Sequence, residues 1–148
     1  MASFRRILVP TDFSESSERA LDWALDLAAR LGASVTVMHA YEIPIVGFPD
    51  GALIATPELA SRISDAAGAA LDKTVARLQG RGVKVDGLLR DGVAFEEITR
   101  AADELDADLI VVGTHSRRGL ARALLGSVAE NVIRSSPRPV LTIQGPRA

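Results

Sequence analysis

A chain of 148 residues with 47% hydrophobic content has the length of one domain and enough apolar side chains for one core, so no linker or second domain is expected. With 17 basic and 19 acidic residues the net charge is -2, which argues against a nucleic-acid or membrane partner, since either favours a basic excess. Cysteine is absent, which excludes thiol nucleophiles, thiolate metal sites and disulfides, and His39 and His115 are too few for a histidine-based zinc site without several carboxylates beside them.

Near the N-terminus Phe4-Arg5-Arg6 leads straight into a short apolar run. No signal-type segment is seen and nowhere do about 18 uncharged apolar residues follow one another, so a soluble cytoplasmic protein is expected. Ile7-Leu8-Val9, closed by Pro10, reads as the first strand, and Thr11-Asp12-Phe13-Ser14-Glu15 carries helix-start residues. Apolar positions at Ala20, Leu21, Ala24, Leu27, Ala28 and Leu31 have the helical period, predicting a helix over residues 14–31 stopped by Gly32. Trp23 is assigned to the core with these stripes. Ser34 to Tyr41 is β-branched and apolar, a second strand, and residues 43–51 hold several breakers and read as a loop packed on something. From Pro57 the positions Leu59, Ile63, Ala66, Ala67, Ala70, Leu71, Val75 and Leu78 describe a long amphipathic helix that Gly80 and Gly82 end.

Residues 83–89 alternate as a third strand, Asp91-Gly92 turns, and Phe95, Ile98, Ala101, Ala102 and Leu105 mark a third helix. Leu109-Ile110-Val111-Val112 is a continuous apolar run that stops at Gly113, as a central strand of a parallel sheet does. A polar loop follows, then a fourth helix over about residues 126–134 and a fifth strand over residues 139–143. This strict alternation predicts a doubly wound α/β fold: one five-stranded parallel sheet, Rossmann-like, with helices on both faces. In such sheets a ligand lies outside the carboxyl ends of the strands where the winding reverses. If the reversal separates the first and fourth strands, the loops holding Pro10 to Asp12 and Gly113 to Ser127 face one another.

Gly113-Thr114-His115-Ser116, nine residues, then Gly126-Ser127 is the sharpest signal. Gly113 lets backbone approach a ligand, and Ser127 offers a hydroxyl beside the free N–H groups of a helix start, an arrangement that holds phosphates. The same residues also read as an ordinary loop with an N-capping serine. Asp12 suits a metal bound to phosphate, a ribose hydroxyl, or a plain turn. Arg117, Arg118 and Arg122 suit phosphates or open solvent. His115 has no carboxylate motif beside it, and His39 inside a strand reads as a satisfied core or rim residue. No lysine-bearing phosphate loop and no serine-glycine-glycine loop after the first strand occur, so a dedicated enzyme is not expected. The fifth strand, apolar and uncharged at the sheet edge, predicts a homodimer through Val140, Leu141, Thr142 and Ile143, unless the tail after Gln144 folds over it.

Ile7-Leu-Val-Pro-Thr-Asp-Phe-Ser14, Val37-Met-His39, Gly113-Thr-His-Ser-Arg-Arg-Gly119, Leu124-Leu-Gly-Ser-Val-Ala-Glu-Asn-Val132 and Pro139-Val140-Leu141 together resemble the universal stress protein (UspA) family over nearly the whole chain. The ATP-binding branch of that family has glycine, two residues, glycine, nine residues, glycine and a serine or threonine. The resemblance implies an adenine nucleotide alpha hydrolase-like fold in which Pro10, Thr11 and Asp12 line the site, Ala40 meets adenine by its backbone, and Val112, Gly113, Gly126, Ser127 and Val128 hold ribose and phosphates. It further implies ATP or another adenine nucleotide, with Mg²⁺ at Asp12, Ser116 and Arg117 beside the phosphates, and two protomers joined by the last strand. The implied role is a regulatory module of the stress response with slow ATP hydrolysis at most; the alternative is a nucleotide-free dimer acting through protein contacts. The chain departs from the pattern at Ser116, which replaces the second glycine. If that position needs a positive φ, serine costs about 1 kcal/mol, and its hydroxyl can also donate to a phosphate.

Overall fold

The computed structural model describes residues 3–44, 46, 47, 49, 53, 54, 56–115 and 125–144. In chain order the elements are β1 (Arg6–Pro10), α1 (Glu15–Leu31), β2 (Ser34–Tyr41), β3 (Val46–Gly47), β4 (Leu53–Ile54), α2 (Pro57–Leu78), β5 (Val85–Asp91), α3 (Ala94–Glu104), β6 (Leu109–Gly113), α4 (Ser127–Ser135) and β7 (Val140–Ile143). Five strands form a parallel sheet in the order β5-β2-β1-β6-β7. The chain winds outward from β1 through β2 to β5, then returns to lay β6 on the other side of β1, so the reversal lies between β1 and β6, the condition for the strand ends at Pro10 and Gly113 to face one another.

Period-two alternation divides the strands between two cores. Ile7, Val9, Val35, Val37 and Val111 face one way and are covered by α1 and α2 through Ala20, Leu21, Ala24, Ala28, Leu71 and Leu78. Leu8, Met38, Ile110 and Val112 face the other way, under Ile98, Ala101 and Ala102 of α3 and Ala129 and Val132 of α4. α1 starts at Ser14, whose hydroxyl accepts from the Ser17 N–H, and ends at Gly32 with φ 68, a conformation that glycine adopts without a Cβ clash.

Four expectations need correction. Trp23 is 50% exposed rather than core, because it stands one residue, about 100° of helix, away from the buried Ala24 and the face fills with alanines instead. Leu31, Leu59 and Ala66 are likewise exposed, at helix positions where no second layer of structure covers the periodic stripe. Val46–Gly47 and Leu53–Ile54 pair as a small antiparallel hairpin inside and beyond the stretch expected to be loop. The third strand of the main sheet runs Val85–Asp91, two residues later than its alternation suggests, since its register is dictated by β2, with Val35 opposite Val85 and Tyr41 opposite Asp91.

Candidate functional site

Three strands end in small or short residues on the same face of the sheet. Pro10 lies level with Met38 on β2 and, two residues beyond the Leu8–Ile110 pair, with Val112 on β6, while Ala40 stands one same-face step beyond Met38, so Pro10, Val112 and Ala40 lie at the strand ends past the buried Leu8, Met38 and Ile110. The large side chains plug the core and the short ones leave a floor. Above that floor opens a cleft with about 570 Å³ of empty space, the open solvent at its mouth included. Ala94 and Ile98 of α3 and Val128 and Ala129 of α4 wall it with apolar groups, while Thr11, Asp12, Ser17, Gly113, His115 and Gly126 supply its polar side. Asp12 and His115 are the titratable side chains among the described residues that bound it.

The Asp12 loop is tightly held. The Thr11 N–H donates to the Met38 carbonyl (2.7 Å), the Phe13 N–H to Thr11 Oγ1 (3.0 Å), and Asp12 Oδ1 accepts from the Ser14 N–H and from Ser17 Oγ, each at 3.0 Å. Thr11 Oγ1 and Ser17 Oγ lie 3.1 Å apart. Asp12 therefore serves the turn and lines the cleft at once, which the sequence left as alternatives.

Gly113 is needed for a different reason from the one its place in the motif suggests. A Cβ there would fall 2.8 Å from the Ser16 backbone, so the bare carbon lets the end of β6 pack against the first turn of α1. The His115 N–H, two residues on, donates to Ser16 Oγ (3.2 Å), which fixes the exit of β6 on the same turn.

Opposite Asp12 stands the start of α4. Gly126 is its N-cap with no side-chain cap hydrogen bond, and the Gly126 N–H donates to the Thr114 carbonyl (2.6 Å). The cap is thus glycine rather than the serine considered from the sequence, and Ser127 is exposed and outside the residues bounding the cleft. An uncapped helix start leaves backbone donors and the positive end of its dipole available to an anion. Two buried polar atoms beside it, Thr114 Oγ1 and His115 Nδ1, have no hydrogen-bond partner among the described residues. An apolar floor, a helix start with no side-chain cap and two polar atoms without partners among the described residues together fit a ligand with a flat apolar base and an anionic end.

Of the residues expected at the site, Pro10, Thr11, Asp12, Ala40, Val112, Gly113, Gly126 and Val128 bound the cleft. Ser116 and Arg117, with Arg118 and Arg122, lie outside the described residues. Sequence reasoning missed Ser17, Ala94, Ile98 and Ala129. Ser17 was recoverable as the residue three beyond the Ser14 cap, but the other three carry only the helical apolar period common to all four helices. No group of three or more His, Asp or Glu able to hold a metal occurs among the described residues. A divalent ion here would need oxygens from its ligand and water besides Asp12, the usual habit of Mg²⁺.

Fold and cleft define a doubly wound α/β protein with a crevice at the carboxyl ends of β1, β2 and β6. The model of the universal stress protein family matches residues 3–144, and the chain belongs to that family. Universal stress protein MJ0531 of Methanocaldococcus jannaschii is 36% identical over 146 residues, covering 97% of this chain and 84% of that protein. The solved structure of MJ0577 superposes with a TM-score of 0.82 at 28% identity, covering 98% of this chain and 99% of that one. A universal stress protein in complex with cAMP gives 0.70 at 30% identity over 96% and 98% of the two chains. One from Archaeoglobus fulgidus in complex with dAMP gives 0.63 at 25% identity over 97% and 99%.

Proposed function

We propose that this universal stress protein binds ATP or a close adenine nucleotide in the cleft between β1 and β6 and acts as a cytoplasmic regulatory module. The observation that carries this reading is the floor of Pro10, Ala40 and Val112 in one cleft with the start of α4, which has no side-chain cap. The floor accepts the base and the helix start accepts phosphate, with Gly113, Gly126, Val128, Ser127, Ser116 and Arg117 around ribose and phosphates. The complexes of similar proteins with cAMP and dAMP support adenine as the shared element. Asp12 is the carboxylate that would hold Mg²⁺ against the phosphates, where the ion would screen their charge. Calorimetry with ATP, ADP, AMP and cAMP, with and without Mg²⁺, tests the reading. Measurable heat at micromolar to tens of micromolar ligand is expected; none at hundreds of micromolar for any of the four overturns it.

The same reading makes the protein a homodimer through β7. This edge strand, Val140–Ile143, carries no charge, whereas the opposite edge, β5, carries Asp86, Arg90 and Asp91, the kind of charge that keeps edges apart. Antiparallel pairing of two β7 strands would satisfy both open edges. Light scattering at tens of micromolar is expected to find a dimer, and Leu141→Lys a monomer; a monomeric wild type removes this part of the reading.

A further inference from the structure

His39 lies outside the cleft, on the α1 side of the sheet, yet it holds the loop that aims Asp12 into it. Its Nδ1 is 2.8 Å from the Thr11 carbonyl oxygen. A carbonyl has no proton to give, so Nδ1 is the donor. Its ring meets Phe13 with centroids 4.6 Å apart at an interplanar angle of 47°. Phe13 has φ 64, a backbone conformation that bulky L residues leave unless neighbours hold them. Both backbone groups of Thr11 are therefore tied to consecutive residues of β2, its N–H to the Met38 carbonyl and its carbonyl to His39, while the next residue, Ala40, is part of the cleft floor. The peptide between Thr11 and Asp12 cannot rotate without breaking the His39 bond, and Phe13 cannot relax without leaving the imidazole.

We propose that His39 is a positioning residue: through the Thr11 carbonyl and the Phe13 ring it holds the strained loop in the one conformation that presents Asp12 to the ligand, and so sets nucleotide affinity without touching the nucleotide. The proposal rests on the nucleotide-binding reading for its effect on affinity, but its geometry exists without ligand.

The test compares the full-length wild type with His39→Asn, whose amide nitrogen can reach the Thr11 carbonyl as Nδ1 does, and His39→Leu, which fills similar space without a donor. Two quantities are read: ATP affinity by calorimetry, and amide hydrogen exchange of Phe13 and Ser14, whose N–H groups bond within the loop, against the amides of β6 as reference. His39→Leu is expected to lose about tenfold in affinity, the order of one hydrogen bond's contribution, and to speed exchange at Phe13 and Ser14 but not in β6. His39→Asn is expected to retain most of both. The proposal is overturned if His39→Leu matches the wild type in both, if exchange accelerates equally in β6, or if His39→Asn loses as much as His39→Leu. Should His39→Leu fail to fold, His39→Asn alone decides: wild-type exchange with near wild-type affinity supports the role, and weakened affinity with unchanged exchange overturns it. A wild type that binds no nucleotide defeats the functional reading, and the exchange pattern then judges the loop's restraint separately.

Discussion

The two ends of the sheet treat their polar groups differently. Where the strands begin, Asp108 at the entry of β6 accepts the N–H groups of Arg5 (2.7 Å) and Arg6 (2.9 Å), and its own N–H donates to the Arg6 carbonyl (2.8 Å). Arg138, ahead of β7, binds the Ala107 carbonyl and reaches the carboxylates of Asp103 and Asp106. These contacts join β1, β6, β7 and the turn after α3. Where the strands finish, Thr114 Oγ1 and His115 Nδ1 lack partners among the described residues and α4 starts without a side-chain cap. The amino end is closed by these contacts, whereas the carboxyl end pairs a closed Asp12 loop with an α4 side where polar atoms lack partners among the described residues. The asymmetry follows from topology, because helices that connect parallel strands begin at the carboxyl end of the sheet and point their positive ends there.

The largest effect is expected from Gly113→Ala, which strikes the scaffold of the open end. The added Cβ would lie 2.8 Å from Ser16 backbone, so β6 and α1 must separate. A loss of about 2–3 kcal/mol is expected in urea unfolding, in line with overpacked cores. An unchanged midpoint would show that α1 yields freely there. Next comes Ala40→Leu, which raises the cleft floor without entering the buried row beneath it. ATP affinity is expected to fall at least about tenfold while thermal stability stays near wild type; equal affinity would place the base elsewhere.

Asp108→Ala breaks the closed end and is expected to lower stability by about 1 kcal/mol near neutral pH, with nucleotide affinity unchanged. The backbone N–H groups of Arg5 and then Arg6 hold the Asp108 carboxyl below its ordinary value, against a small opposing effect of burial. A lowered folded value contributes stability that is complete above the unfolded value, about pH 4, and disappears as pH falls through the folded one. Wild type and Asp108→Ala should therefore converge in acid; a difference that persists at low pH would assign it to packing. The smallest effect is expected from Thr114→Val, which removes a buried hydroxyl that has no partner among the described residues. It should raise the ligand-free melting temperature by a few degrees at most, corresponding to about 0.5–1 kcal/mol, whereas a drop would show that the hydroxyl is satisfied in solution.

Much of the site was legible because its residues are loop residues at strand ends, where chemistry and chain order coincide. Pro10, Thr11, Asp12, Gly113 and Gly126 stand beside the apolar runs that announce β1, β6 and α4, so the fold class brings them together. Ala40 and Val128 came through the family resemblance, since nothing in their local pattern separates a floor or wall residue from core. Ala94, Ile98 and Ala129 escaped for that same reason. The four-residue strand β7 was placed at the edge by its position as the last strand, and the structure leaves it there.

By itself the sequence determined the alternation of strands and helices, the helix stop at Gly32 and the family, because periodicity, turn residues and motif spacing are local properties. Tertiary structure decided the rest. That Gly113 serves packing against Ser16 depends on which helix turn lies beside β6, and that Trp23 is half-exposed depends on which face of α1 meets the sheet. The bond between His39 and the Thr11 carbonyl joins residues 28 positions apart, through a Phe13 backbone that no local preference selects, and only the pairing of β1 with β2 brings them within reach.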